Sequence, residues 1–357
     1  MTEMIKFPSI NQFRNSVKAV KDRARWVGRD ENGDPVFDAT KPVPTLKFVG
    51  TVKLHGTNAG IVLDRKSEDF SYQSRERILT LEQDNAGFML HMKNHQESLD
   101  RLFSALMLAI PDEALDDVKN MVIYGEWCGA NIQKGVGISG LPKMFVIFAV
   151  RINFEEDSKF KSVWVSPQNL PVSQLVEPES KIFNVFDFGH YEVEIDFNHP
   201  ELAQQKLVEL TEQVEALCPA GKFFGNEGVG EGIVWHCEED GWRSSDFWFK
   251  VKGEKHSVSK VKTLAPVDVE AYKKLQDFID SVVTEARLEQ GLHNLVNEQR
   301  KPFDMTSMGD FIRWVFNDVM KEETDTIVAN QFDPKKLGGP IANKARPWFI
   351  ARFNSQE

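Results

Sequence analysis

Thr51-Val52-Lys53-Leu54-His55-Gly56-Thr57-Asn58 sets a lysine between apolar neighbours, just ahead of a glycine that marks a tight polar turn. Strand-forming runs flank it, Leu46 to Gly50 before and Ala59 to Asp64 after. A lysine at the end of a buried strand is costly to keep charged, because desolvation disfavours the ammonium. Such lysines are candidate nucleophiles. Taken alone, the stretch reads more readily as an exposed lysine beside a glycine turn. The rest of the chain reverses that reading.

Downstream, Phe70 to Gln73 forms a partner strand and leads into Ser74-Arg75-Glu76-Arg77. Leu99, Leu102, Phe103, Leu106, Met107 and Ile110 recur at helical spacing until Pro111 stops them. Met121 to Tyr124 is a buried strand running into Gly125-Glu126-Trp127-Cys128-Gly129, a carboxylate at a strand end. Lys143 to Ile152 is a further apolar strand with Phe148 near its middle. Short strands follow at Val163 to Val165, Ile182 to Phe186 and Tyr191 to Phe197, then a helix marked by Leu207, Leu210, Val214 and Leu217. A loop from Phe223 to Gly230 opens into Glu231-Gly232-Ile233-Val234-Trp235, a strand that begins with an acid. In Phe247-Trp248-Phe249-Lys250-Val251-Lys252 the two lysines share one face at period two. Upstream, Ile10, Phe13, Val17 and Val20 trace a helix with Ser9 as its N-cap, and Asn32-Gly33 signals a hairpin.

Beyond Pro266 the pattern turns helical, with one stripe at Val269, Tyr272, Leu275, Ile279 and Val282 and another at Met308, Phe311, Ile312, Val315, Phe316 and Val319. The polar stretch Gly253 to Lys262 reads as a linker. The expected organisation is an α+β domain over 1–260 and a small all-α domain over 261–357.

Composition is that of an ordinary globular chain, 41% hydrophobic and 27% charged, and no run of about 18 apolar residues suggests a membrane span. The start, Met1 to Ile10, lacks a basic segment followed by an apolar core, and Cys128, Cys218 and Cys237 have no metal spacing. Together these predict an intracellular, cytoplasmic protein, in the host cytoplasm if the source is viral. The net charge of −11 argues against a nucleic-acid partner until its distribution is considered. Glu177 to Asp240 carries fifteen acids against three bases, which accounts for the whole excess. Gly241 to Lys262 has six bases to two acids, and Lys335 to the C-terminus five to one. Local basic segments can engage phosphates on an otherwise acidic surface.

The separated pieces suit transfer of a nucleotide onto lysine. An amine that attacks an α-phosphate must first become neutral. Fixed cations such as Lys250 and Lys252 can meet the charge on the phosphoryl oxygens. A carboxylate such as Glu231 can hold Mg²⁺, a second, Glu126, can accept a ribose hydroxyl, and an aromatic face can stack a purine. Each residue also has a blander reading: Phe148 as core, Lys250 and Lys252 as a solvated face, Arg75 as a surface ion-pair partner, His55 as a turn former.

This ordered set resembles the covalent nucleotidyltransferase superfamily, and more closely the RNA ligase 2 family, whose members seal nicks in double-stranded RNA. Lys53-Leu54-His55-Gly56-Thr57-Asn58 carries the histidine and asparagine of that family's first motif, where DNA ligases and capping enzymes show K-x-D-G. The resemblance covers roughly residues 46–260. It implies an ATP-grasp-like ligase domain of antiparallel sheets with flanking helices, followed by a helical C-terminal domain. It implies that Lys53 forms a lysyl-AMP, that Arg75 rather than Arg77 acts near the reacting ends, and that Glu126 contacts ribose or metal-bound water. Phe148 would stack adenine, Leu54 and Asn58 would line the nucleotide, and Glu231 would link the metal with Asn58 and Glu126 beside it. Lys250 and Lys252 would contact the α-phosphate.

Three departures stand out. Val52 precedes the lysine where the family often has glutamate, and Phe148-Ala149-Val150 replaces the common F-D-I. The acidic segment from Glu177 to Glu215 reads as an insertion to which the sequence assigns no role. The expected activity is ATP-dependent sealing of RNA bearing 3′-OH and 5′-phosphate ends at duplex nicks by a monomer, with Mg²⁺ as cofactor and Mn²⁺ as an alternative. A DNA or hybrid ligase, a GTP-using capping enzyme and a non-catalytic end-binding protein are the competing readings.

Overall fold

In the computed structural model, residues 4–130, 132–253 and 275–355 are described. The chain forms two compact units, Met1–Ile10 with Asn15–Val251 and Asn11–Arg14 with Lys252–Glu357. The expected linker Gly253 to Lys262 and boundary near Lys260, and the start of the helical stripe at Val269 and Tyr272, lie outside the described residues apart from Gly253.

The strands of the first unit, counted from Thr45, are β1 (Thr45–Lys53), β2 (Thr57–Asp64), β3 (Phe70–Ser74), β4 (Val118–Cys128), β5 (Met144–Phe154), β6 (Val163–Val165), β7 (Ile182–Asn184), β8 (His190–Asp196), β9 (Gly232–Cys237) and β10 (Phe249–Lys252). One sheet runs β10-β9-β1-β8; the other runs β7-β5-β4-β2-β3, with β6 added beside β5. The pairings of β1, β2, β4 and β5 with their main neighbours are antiparallel, as expected, but β7 lies parallel to β5.

Alternation divides each strand between two faces. On β1, Leu46, Phe48 and Val52 are buried, and the Phe48 ring meets Phe197 and Phe249, so that side of the first sheet is core. The other side carries Val49, Thr51 and Lys53 opposite His236, Val234 and Gly232. On the second sheet, Ala59, Ile61, Ile123, Phe145 and Ile147 pack beneath Phe88, Leu99, Leu102 and Phe103 of the helices Phe88–Asn94 and Gln96–Leu108. Val62, Val122 and Tyr124 turn the opposite way and join Trp248, which precedes β10. The two sheets thus face each other across a cleft.

Three local expectations are corrected. Ser9 does not cap the first helix: Asn11–Gln12 is extended, the helix is Phe13–Arg25, and the Ser9 hydroxyl accepts from Arg75 instead. Glu126 lies within β4 rather than beyond its end, because that strand continues to Cys128. The segment from Glu177 to Glu215, read as an insertion to which the sequence assigns no role, is part of the sheets. It supplies β7, the edge strand β8 that pairs with the Lys53 strand, and the helix Gln204–Ala216. Glu192 and Glu194 are exposed on that edge, where charge discourages pairing with another chain.

From Leu275 onward the described residues of the second unit form helices joined by short turns and loops. Phe278, Ile279, Phe311, Val315, Leu337, Ile341 and Phe349 form its core. Arg287, fully buried, donates from Nε to Asp318 at 2.8 Å and faces Glu323 at 3.6 Å. Arg14 reaches the same Glu323 at 3.3 Å.

Candidate active site

Lys53, the last residue of β1, holds its ammonium 2.8 Å from Oε2 of Glu231, and Nδ1 of His55 lies 3.2 Å from the same oxygen. The lysine side chain is 24% exposed and the glutamate 3%, so one partner is reachable from the cleft while the other is locked in protein. The lysine expected at the end of a buried strand is there, and it is part of an ion pair at a cleft wall.

Glu231 precedes Gly232, whose φ of 152° lies outside the range most side chains accept. The glycine lets the chain turn as it enters β9. Gly56 is required for a different reason. Its N–H donates to Oε1 of Glu126 at 2.8 Å, and a Cβ there would collide with the Trp127 carbonyl. The turn after Lys53 is thereby pinned to β4.

Glu126 sits opposite Asn58 in the β2–β4 register. Burial pushes its carboxyl up to about 7, the Lys53 charge pulls it down, and the Glu231 charge adds to the rise. Two carboxylates that feel one another across a lysine are a strongly electronegative pair. Carboxylate and amide oxygens are donors that Mg²⁺ and Mn²⁺ favour, and the Asn58 opposite Glu126 adds an amide to the two carboxylates.

Lys250 follows Phe249, whose ring is buried on the core side, so alternation turns Lys250 toward the same face as Lys53. Lys252, the last residue of β10, opens the second unit. Arg75 donates to Ser9 at 3.3 Å, and its charge reaches Glu126. Arg77 instead ties the backbone carbonyls of Gln83 and Asp84, a structural task. Leu54 is buried beneath the turn, its carbonyl 3.5 Å from the Lys53 ammonium. Val52, in the place of the family's glutamate, faces the core with 3% exposure.

Phe148 reaches the cleft through a β-bulge. Tyr124 pairs with Ala149 and Gly125 with Ile147, leaving Phe148 as the extra residue. Phase along β5 changes there: Phe145 and Ile147 pack under the helices, and Val150 and Ile152 do so after the bulge. Phe148 and Ala149 both join the cleft-side cluster. The Phe148 ring meets Phe7 with centroids 5.0 Å apart.

Sequence reasoning missed the N-terminal segment. Tyr124 Oη donates to the Ile5 carbonyl at 2.7 Å, the Ile5 N–H donates to Gln73 at 3.1 Å, and Phe7 packs on Tyr124, Phe148, Trp164 and Trp248. It also missed His236 on β9, whose ring lies 4.4 Å from Trp248. Apolar residues before a helix are a weak signal, whereas His236 directly follows the strand read as Glu231 to Trp235, at an even position from Gly232.

Lys53, the carboxylate it contacts, a second carboxylate that feels both charges, and a lysine-bearing strand thus belong to one pair of sheets. The RNA ligase family model matches residues 46–252, more than half of the chain, and the chain belongs to the RNA ligase family. No curated protein matches it. Similar solved structures include Naegleria gruberi RNA ligase as a point mutant with ATP and Mn, at 16% identity and TM-score 0.40, covering 70% of this chain and 57% of that one. The Naegleria enzyme with PPi gives 16% identity and TM-score 0.40 over 70% and 56% of the two chains. The chain thus spans less than three fifths of those proteins.

Proposed function

We propose that this protein is an ATP-dependent RNA ligase that seals 3′-OH and 5′-phosphate ends at nicks in duplex RNA. The observation that carries the reading is the Lys53–Glu231 contact at 2.8 Å, set within the region of the family match. Lys53 Nζ attacks the α-phosphorus of ATP, a P–N bond forms, and the bond to the pyrophosphate oxygen breaks. The amine must shed protons to do so, and Glu231 Oε2 is the acceptor in contact. Lys250 and Lys252 stabilise charge on the phosphoryl oxygens. In the second step a 5′-phosphate oxygen of RNA displaces the lysine, which regains its proton. In the third, a 3′-OH attacks the activated 5′-phosphate and AMP leaves. Each step is a displacement at phosphorus with similar charge development, so the same cations serve all three.

Glu231, Glu126 and Asn58 would hold a divalent cation. When bound, it neutralises charge on the phosphates. Arg75, half-exposed beside Glu126, would act near the RNA ends. RNA would run along the basic segment from Lys250, whose continuation to Lys262 lies outside the described residues beyond Gly253, and along Lys335 to Arg352 of the second unit. Those contacts should weaken steeply with salt.

Incubation with α-labelled ATP and Mg²⁺ tests the first step. Label should appear on wild-type protein and vanish in Lys53→Ala; absence of label on wild-type protein refutes the proposal. Label from GTP in place of ATP would indicate the capping reaction. Nicked RNA, nicked DNA, hybrids and single strands then resolve the substrate, and joining of single-stranded ends alone would refute the duplex assignment.

A further inference from the structure

The hairpin of Trp26–Arg29 and Pro35–Phe37 is a two-stranded ribbon that joins neither of the larger sheets. A ribbon of two strands buries little surface and is marginal on its own. Here its root is tied down. The Asp38 N–H donates to the Arg25 carbonyl at 2.8 Å, and the Lys41 ammonium donates to the Trp26 carbonyl at 3.2 Å. Trp26 and Phe37 stand opposite each other at that root and so share one face. They are 52% and 44% exposed, which leaves two large side chains next to each other open to solvent.

The chain leading to them is basic. From Lys18 to Arg29 there are five bases to one acid, in a protein whose net charge is −11. Lys18, Lys21 and Arg25 recur at spacings of three and four and share one face of the helix Phe13–Arg25, which ends at Trp26. The acids Asp30, Glu31 and Asp34 gather at the hairpin turn, the end away from Trp26 and Phe37. Asp38, beside Phe37, is partly buried, and its Oδ1 accepts from the Thr40 N–H at 2.9 Å. The ribbon is therefore basic at its aromatic root and acidic at its tip. Contacts of the helix fix where this root lies. Ser16 Oγ donates to the Phe247 carbonyl at 2.7 Å, and the Arg23 guanidinium lies 5.2 Å from the centre of the Trp242 ring. The helix thus runs beside the segment that enters β10 and Lys250, where the basic track proposed for RNA begins.

We infer that Trp26 and Phe37 form an accessory docking surface for unpaired nucleotides of the RNA substrate, with bases stacking on the two rings and phosphates meeting Lys18, Lys21 and Arg25. The choice of RNA as occupant rests on the ligase reading. Exposed aromatics set beside fixed cations suit single-stranded RNA, because every base has a π-face and the backbone is a line of negative charge. Paired bases inside an A-form helix keep their faces stacked on one another and offer none to a side chain. The surface therefore narrows the substrate class to nicked duplexes that carry an unpaired stretch, such as a tail or a loop, next to the duplex.

The experiment measures binding of the full chain, by fluorescence anisotropy without ATP, to two nicked RNA duplexes, one blunt and one with an unpaired tail. Wild-type protein should bind the tailed duplex about tenfold more tightly, the worth of stacking one base. Trp26→Ala combined with Phe37→Ala should bring that ratio to about one. Trp26→Phe combined with Phe37→Tyr, which keeps two rings, should preserve it. Lys18→Ala combined with Lys21→Ala should lessen the slope of log Kd against log salt for the tailed duplex by about 1.4, the share of two phosphate contacts on a single strand. The ratio is taken within each variant and is insensitive to the fraction of folded protein. No preference for the tail in wild-type protein, or a preference that survives loss of both rings, overturns the inference. Dimerisation of wild-type protein in sedimentation velocity that is lost with both rings also overturns it, since the hairpin then holds a second copy. A ring-dependent preference for the tail in a protein that takes no label from ATP sinks the ligase reading alone and leaves the docking surface standing.

Discussion

Lys53 and Glu231, 178 residues apart in sequence, meet at 2.8 Å where β1 ends and β9 begins. The glutamate is nearly inaccessible and the lysine is not, so the two substitutions should fail differently. Lys53→Ala removes the acceptor of the nucleotide and should abolish protein labelling outright. Glu231→Gln keeps the shape and one acceptor oxygen. It should leave a folded protein whose labelling rate falls about 100-fold or more, in the range seen when one preorganised electrostatic group is lost. Intact labelling in Glu231→Gln would remove that residue from the chemistry.

Much of this was legible in the chain. Lys53, Glu231 and Lys250 each stand at a strand terminus or on an alternating strand, and alternation with a nearby glycine is a local signal. Phe148 was placed on the right strand, but its face was not readable, because the bulge at Ile147–Ala149 shifts the phase and is visible only in the pairing with Tyr124 and Gly125. The acidic run was not placed for another reason. Glu192 and Glu194 look like solvated surface and are so, yet they ride on the edge strand beside Lys53, a long-range pairing that charge pattern does not encode. Phe7 and Ile5 owe their place to contacts with Tyr124 and Gln73, far along the chain.

Two titratable groups shifted by desolvation give opposite pH dependences of stability. Glu126 has its carboxyl raised from 4.5 to about 7, so the folded state keeps a proton that the unfolded chain releases. Stability should fall as pH rises from about 4.5 to 7, by at most about 3 kcal/mol. His236 is lowered from 6.5 to about 4, so the unfolded chain takes up a proton first. Stability should fall as pH drops from about 6.5 to 4. In metal-free urea titrations, Glu126→Gln should flatten the neutral-side decline and His236→Gln the acid-side one. Parallel pH profiles for wild type and both variants would contradict the assignment.

Phe7 ties the N-terminal segment into the cleft through four aromatic neighbours. Phe7→Ala should lower the stability of the first unit by about 2–3 kcal/mol, less than a full core truncation because the ring is only partly buried. Since the same ring steadies Phe148, KM for ATP in the labelling reaction should rise about tenfold while the maximal rate changes little. A drop in rate with an unchanged KM would mean that Phe7 acts elsewhere than on nucleotide binding.

In the helical unit, Arg287 and Glu323 are both fully inaccessible, and Arg287 also holds Asp318 while Arg14 approaches Glu323. Such a network is not evidence of large net stability, because desolvation offsets much of the attraction. Breaking it from one side is another matter, since loss of Arg287 leaves Asp318 without its Nε donor and the buried Glu323 with Arg14 as its remaining cation among the described residues. Arg287→Ala should destabilise this unit by about 3–5 kcal/mol. Arg287→Met combined with Glu323→Leu, which removes both charges while filling similar volume, should recover most of that loss. The readout is the thermal transition of the helical unit followed by circular dichroism. If RNA sealing needs the folded helical unit and lysine adenylylation does not, Arg287→Ala above its transition should still be labelled by ATP yet fail to join nicked RNA, and the double variant should do both. Loss of labelling together with sealing would show that the first nucleotidyl transfer also depends on the helical unit.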